Sequence, residues 1–248
     1  MWPFSKRTVR RPSSSAPGPE PLTELTTNLL SPDLALYFAK VGSGDYSEHW
    51  DVEVNLLNLA QSERWTQDLS FHPIIQAFDG RVLDDPNTSN HHIYLNRTVL
   101  TGCILFLSHD GDTRIVYSTL VDFLGAADAA KQEKHVLSEI HPSSSPILKN
   151  QVGLSGLILD LYPNGDAGNE AAVLALIPSM DLLDKMLLKR LVIDTNFFFG
   201  EAVAIEIEKR PTHHLVQIAE LCAGHEHMHV RNAGHKALAA IRQLNAKI

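Results

Sequence analysis

Gly102-Cys103-Ile104-Leu105-Phe106-Leu107-Ser108-His109-Asp110-Gly111-Asp112-Thr113-Arg114-Ile115-Val116-Tyr117-Ser118 carries the clearest fold signal in the chain. Two apolar runs, 102–107 and 114–117, flank His109-Asp110-Gly111-Asp112. Asp-Gly between apolar runs signals a hairpin, because both residues tolerate positive φ. Thr119 and Asp122 then form a capping-box arrangement ahead of Leu120, Phe123, Leu124 and Ala127 at helical spacing. Upstream, Ile74, Ile75 and Phe78 lead into Asp79-Gly80, with Val82 and Leu83 beyond, which reads as an earlier hairpin of the same kind. Asp84–Asn90 reads as polar loop and Ile93–Leu95 as a short strand. Residues 71–118 are thus predicted as antiparallel sheet followed by a helix.

Outward from the sheet, Ser31-Pro32-Asp33 opens a helix, with Ser31 as N-cap and Pro32 at the first helical position. Leu34, Tyr37, Phe38 and Val41 share its face, and Gly42-Ser43-Gly44 ends it. Residues 47–61 suit a helix through Trp50, Val54 and Leu57, although Val52 and Val54 also alternate like a strand; helix is the expectation. His141-Pro142-Ser143-Ser144-Ser145-Pro146 is a break. A short apolar stretch at 152–161 follows, and then helices near 169–177, 180–193, 197–209, 212–222 and 227–244. Pro12, Pro17, Pro19, Pro21, Gly18 and Ser13-Ser14-Ser15 mark residues 1–21 as a flexible leader, with the folded body starting near Leu22. The expected fold is α+β, with an α+β domain over 22–142 and an all-helical domain over 147–248 packing on it.

The 248 residues fit one large domain or two small ones. Formal net charge is −8. Lys6, Arg7, Arg10 and Arg11 against Glu20 give residues 1–20 a net of +3, which leaves −11 on the other 228. An acidic body argues against a nucleic-acid surface and suits a basic partner. No apolar run reaches membrane-span length, and Met1-Trp2-Pro3-Phe4 lacks the apolar region of a signal peptide, so a cytoplasmic location is expected. Cys103 and Cys222 are too few for a disulfide framework and read as buried small side chains. Oligomeric state is left open.

The hairpin, with Ser118-Thr119-Leu120-Val121-Asp122-Phe123-Leu124 after it, resembles the SUKH superfamily, the Smi/Knr-type proteins. Pro73-Ile74-Ile75-Gln76-Ala77-Phe78-Asp79-Gly80 is similar to that family's strand-end phrase. The likeness covers residues 30–130, and the family's acidic Gly-Asp loop phrase is missing in its usual form. It implies an α+β fold used for protein binding: an immunity or regulatory protein that sequesters a partner such as a basic toxin, needing no catalytic residue and no cofactor. An acidic body complements such a partner.

A rival signal lies near the C-terminus. His225-Glu226-His227-Met228-His229 matches H-E-x-x-H, which on one helix places His225 and His229 on a shared zinc ion with Glu226 as general base. His235 stands at the metzincin spacing for a third ligand, which makes a zinc-dependent hydrolase the alternative. Against it, Ala223-Gly224 reads as a helix end, no Met-turn follows, and six of the 13 histidines fall within 213–235. The same residues also resemble the second helix of a HEAT repeat, with Val230, Ala233, Ala237, Leu238 and Ile241 as its apolar stripe. That implies a helical scaffold, with His225–His229 in an inter-helix loop. His109, Asp110 and Asp112 are cation-ligand types, but their setting is turn chemistry. Gly153-Leu154-Ser155-Gly156 lacks the last glycine of a nucleophile elbow. Phe197-Phe198-Phe199 reads as the first turn of a buried helix.

Overall fold

The computed structural model describes residues 30–162 and 167–245. The leader assigned to 1–21 and the start near Leu22 lie outside the described residues. The fold is α+β: a four-stranded antiparallel sheet with helices on both faces. The strands are β1 (Gly80–Val82), β2 (His91–Leu95), β3 (Ile104–Leu107) and β4 (Arg114–Tyr117), in spatial order β1-β2-β3-β4. The 102–118 hairpin forms as expected, with Gly111 at φ +101 in its turn. In β4, Val116 is an extra residue: Ile115 pairs with Leu105 and Tyr117 with Ile104. This bulge places Val116 and Tyr117 together with the α1 side of the sheet.

One face carries Tyr94, Ile104, Phe106 and Val116 and is covered by α1 (Pro32–Ser43) and α4 (Leu120–Glu133). The other carries Val82, Ile93, Leu95, Leu105 and Ile115, with α3 (Pro73–Phe78) and α6 (Ala167–Leu176) against it. Both faces are buried, so the strands show continuous apolar runs instead of alternation. The second cluster extends without a gap through α5 (Gln151–Leu161), α7 (Lys185–Val192), α8 (Phe197–Lys209), α9 (Val216–Ala223) and α10 (Met228–Asn245). The break expected at 141–146 has neither helix nor strand, and it carries the chain from one cluster to the other.

Three local expectations give way. Residues 73–78 form α3, not a strand. His72 caps it by accepting from the Ile74 amide at 3.2 Å, Pro73 occupies the first turn, and Asp79 ends it at φ 49. The positive φ that suggested a hairpin here serves a helix C-cap. Residues 47–58 form no α-helix. Trp50–Val52 make a single 3-10 turn, Glu53 sits at φ 56, and bridges join His49 to Val54 and Leu56 to Asp84. Helix α2 (Leu59–Asp68) starts only after Asn58, whose side chain forms a capping box with Gln61. Finally, the helix expected over 180–193 covers only Lys185–Val192, because Leu182 at φ 62 breaks it and Asp184 caps the new start.

The last three helices pack closely. Gly234 of α10 lies against α9 so tightly that a Cβ there would stand 2.3 Å from the Ala223 nitrogen. Val230, Ala233, Ala237 and Ile241 are buried and Leu238 partly so, as the apolar stripe implies.

Candidate functional site

The capped start of α4 builds a surface ridge. Thr119 accepts from the Asp122 amide at 3.1 Å, and its hydroxyl bonds the Asp122 carboxylate at 2.8 Å. A cap of this kind stabilises a helix end by about 1 kcal/mol. It fixes Leu120, Phe123 and Leu124 inward and leaves Val121 78% exposed. On α1, Leu34, Tyr37, Phe38 and Val41 go inward and Leu36 is 73% exposed. Between the two helices opens a hollow of about 510 Å³, lined by Leu36, Tyr37, Val121 and Leu124, with Asp33 and Lys40 among its polar lining. Across α4 lies a second hollow of about 530 Å³, lined by Tyr117, Val121, Gly125, Pro142, Ser144 and Pro146. Gly125 has nothing within 4 Å of where a Cβ would stand, so a partner's backbone can approach the ridge there.

The charges on these helices are unequal. Lys40 and Lys131 both pair with Asp128, at 3.6 and 3.7 Å, and both lie over the Tyr46 ring. Asp33, Asp122 and Glu133 have no cationic partner among the described residues. The ridge therefore presents apolar side chains beside carboxylates.

Behind α4, on the same sheet face, lies a buried polar chain. Asp84 and His92 are 0% and 3% exposed. Asp84 accepts from the His92 amide at 2.6 Å and meets His92 Nδ1 at 2.5 Å. The other ring nitrogen of His92 faces Nε2 of His141 at 2.8 Å. His91 Nδ1 bonds the Asp84 carbonyl at 3.0 Å. Phe106, Tyr117 and Phe123 surround the His92 ring. Burial, followed by His92 and Arg114 nearby, pushes the His141 imidazole down to about 3. The Asp84 carboxylate orients the His92 ring, and its carbonyl orients the His91 ring. Cys103 and Cys222 are buried free thiols pushed up to about 11 and about 12 by burial, so both are protonated at neutral pH.

The H-E-x-x-H residues fall elsewhere. Helix α9 ends at Ala223 with Gly224 as its cap, and α10 begins at Met228, so His225 and Glu226 lie in the connecting loop and His229 in the first turn of α10. His225 and His229 therefore do not share a helix face. His225 Nδ1 accepts from the His227 amide at 3.0 Å, His227 stacks on Phe197 with ring centroids 3.5 Å apart, and exposed His229 lies 3.5 Å from Glu201. His235 is exposed six residues further along. Among the described residues no three His, Cys, Asp or Glu side chains form a group that could hold a metal. His109 donates its amide to Asn90, and Asp112 pairs with Arg114 at 3.2 Å, so these hairpin residues serve the turn and its strand. Phe197–Phe199 open α8, with Phe199 buried and Phe198 half-exposed.

Sequence reasoning missed the Asp84–His92–His141 chain. His91 and His92 fall between the loop read over Asp84–Asn90 and the strand read from Ile93, and His141 opens the break at 141–146. The only available signal was a histidine pair opening an apolar strand.

No protein family, no curated protein and no solved structure matches the chain. Among the described residues, no helix is long and apolar enough to cross a membrane.

Proposed function

We propose that this protein is a binding module that sequesters a basic protein partner, in the manner of an immunity or regulatory protein, with the α1–α4 ridge as its binding face. The observation that carries this reading is the pair Leu36 and Val121. Both are more than 70% exposed, and they share one hollow whose lining includes Asp33, a carboxylate without a cationic partner among the described residues. Adjacent apolar side chains rimmed by charge are the ordinary composition of a protein interface. The acidic charge beyond residue 20 favours encounter with a cationic surface and makes association salt-dependent. A toxin of basic charge fits this description, and the function requires no metal, cofactor or catalytic group.

The test uses the whole chain immobilised beside a Leu36→Asp, Val121→Asp variant. The expected result is a basic protein from the source cells retained by the native chain and lost from the variant. Its purified form should bind with a Kd that rises at least tenfold on the double substitution and further with salt. Equal binding by both chains would overturn the assignment of this face. A retained partner that is acidic would overturn the charge argument.

A further inference from the structure

Two imidazoles that face nitrogen to nitrogen at 2.8 Å can share one proton but not two. With one, a ring donates and the other accepts; with two, both present N–H groups and the bond becomes a repulsion. The His92–His141 contact has this geometry, and it lies where relief is difficult. His92 is held on its far side by Asp84, and Phe106 and Tyr117 lie against both rings, with Phe123 beside His92.

We propose that the Asp84–His92–His141 chain is an acid-released latch, which holds the segment from Ser138 to Ile147 against the sheet when one proton is shared and frees it when a second arrives. That segment joins Leu137, buried under α4, to Leu148, buried in the other cluster. Few other bonds hold it: Ser138 donates to Glu53 at 2.8 Å and Arg114 donates to the Pro142 carbonyl at 2.7 Å. The charged and titratable groups around the latch are Asp84 and His91 behind His92, Arg114 and Tyr117 on β4, and Asp122 on α4, which influences Tyr117. Arg114 adds a fixed positive charge that opposes a second proton on His141. The freed imidazole regains an ordinary affinity, so acid favours the open form. Pro142, Ser144 and Pro146 wall the second hollow, so opening also dismantles one side of the ridge. The latch itself does not depend on the binding function proposed above.

Amide hydrogen exchange on the full chain tests this without a partner. The amide of Glu139, inside the segment, is bonded to the Val136 carbonyl and reports opening. With an open-form pKa of about 6.5 and the closed-form value of about 3, its protection factor should fall about 30-fold from pH 7.5 to pH 5.0. Protection in α10 should change far less. In His141→Gln, which keeps a donor toward His92 but cannot titrate, the fall should vanish; His141→Phe should show the same flat response with lower protection throughout. A flat native profile, an equal fall in α10, or a native slope that persists in His141→Gln would each overturn the proposal.

Discussion

Among the described residues, the sheet half and the helical half each bury one carboxylate, and they satisfy it by opposite means. Asp84 is served by a backbone amide and an imidazole, both also buried. Glu206 of α8, 4% exposed, is served by Lys209 and Arg210, each at 2.8 Å and each reaching solvent. Arg210 also donates to the carbonyls of Met180 at 2.6 Å and Pro178 at 3.3 Å, tying α8 to the chain before α7. One half therefore satisfies its carboxylate entirely out of water, and the other satisfies it with cations that keep contact with solvent. The proposed latch lies on the side with the exposed ridge.

That contrast can be broken at either end. Asp84→Ala should cost about 3–5 kcal/mol, because it strands a buried imidazole and a backbone amide without a partner; urea denaturation reads the loss. Gly234→Ala should cost about 2–3 kcal/mol in the same measurement, since the added methyl meets α9 backbone that cannot give way. This tests whether the helical half depends on close packing more than on polar bonds.

The pH dependence sharpens the comparison. His141 sits near 3 when folded and near 6.5 when unfolded, so its contribution is complete above pH 6.5 and is lost as pH falls toward 3. At pH 5 the native chain should have lost about 2 kcal/mol relative to pH 7.5 from this group, and His141→Gln should lack that component in matched denaturation curves. Glu206→Gln should cost less, about 1–2 kcal/mol, because its two cationic partners can turn to water. Smallest of all, Leu36→Ser with Val121→Ser should change stability by no more than about 0.5 kcal/mol. A binding defect in that variant would then reflect the surface alone.

Much of the fold was legible locally. The 102–118 hairpin, the Thr119 cap, Ser31-Pro32 and Gly224 act within a few residues of themselves, so their chemistry reads directly from the chain. The errors came where one local property serves two structures. Asp79 tolerates positive φ in a hairpin turn and in a helix C-cap alike, and Pro73 with His72 decided for the cap. Val52, Val54 and Leu56 alternate and are all buried, but Val52 lies in a 3-10 turn and Val54 and Leu56 in isolated bridges, so no strand forms. Of the candidate site, Val121 lay in a stretch the sequence singled out, but its exposure beside Leu36 depends on how α1 meets α4.

By itself the sequence determined many of the elements, that their class is α+β, and that the charge beyond the first 20 residues is acidic. These follow from propensity, capping and composition, which act over short range or by simple addition. The tertiary structure decided which titratable groups meet. Asp84 and His92 are eight residues apart, but His141 lies 49 further on from His92. The three converge only because pairing of β1 with β2 buries Asp84 and His92 and the chain returns past α4 to set His141 against them. It also separated His225 from the helix of His229, because the caps that end α9 and begin α10 divide a pattern that spacing alone had joined.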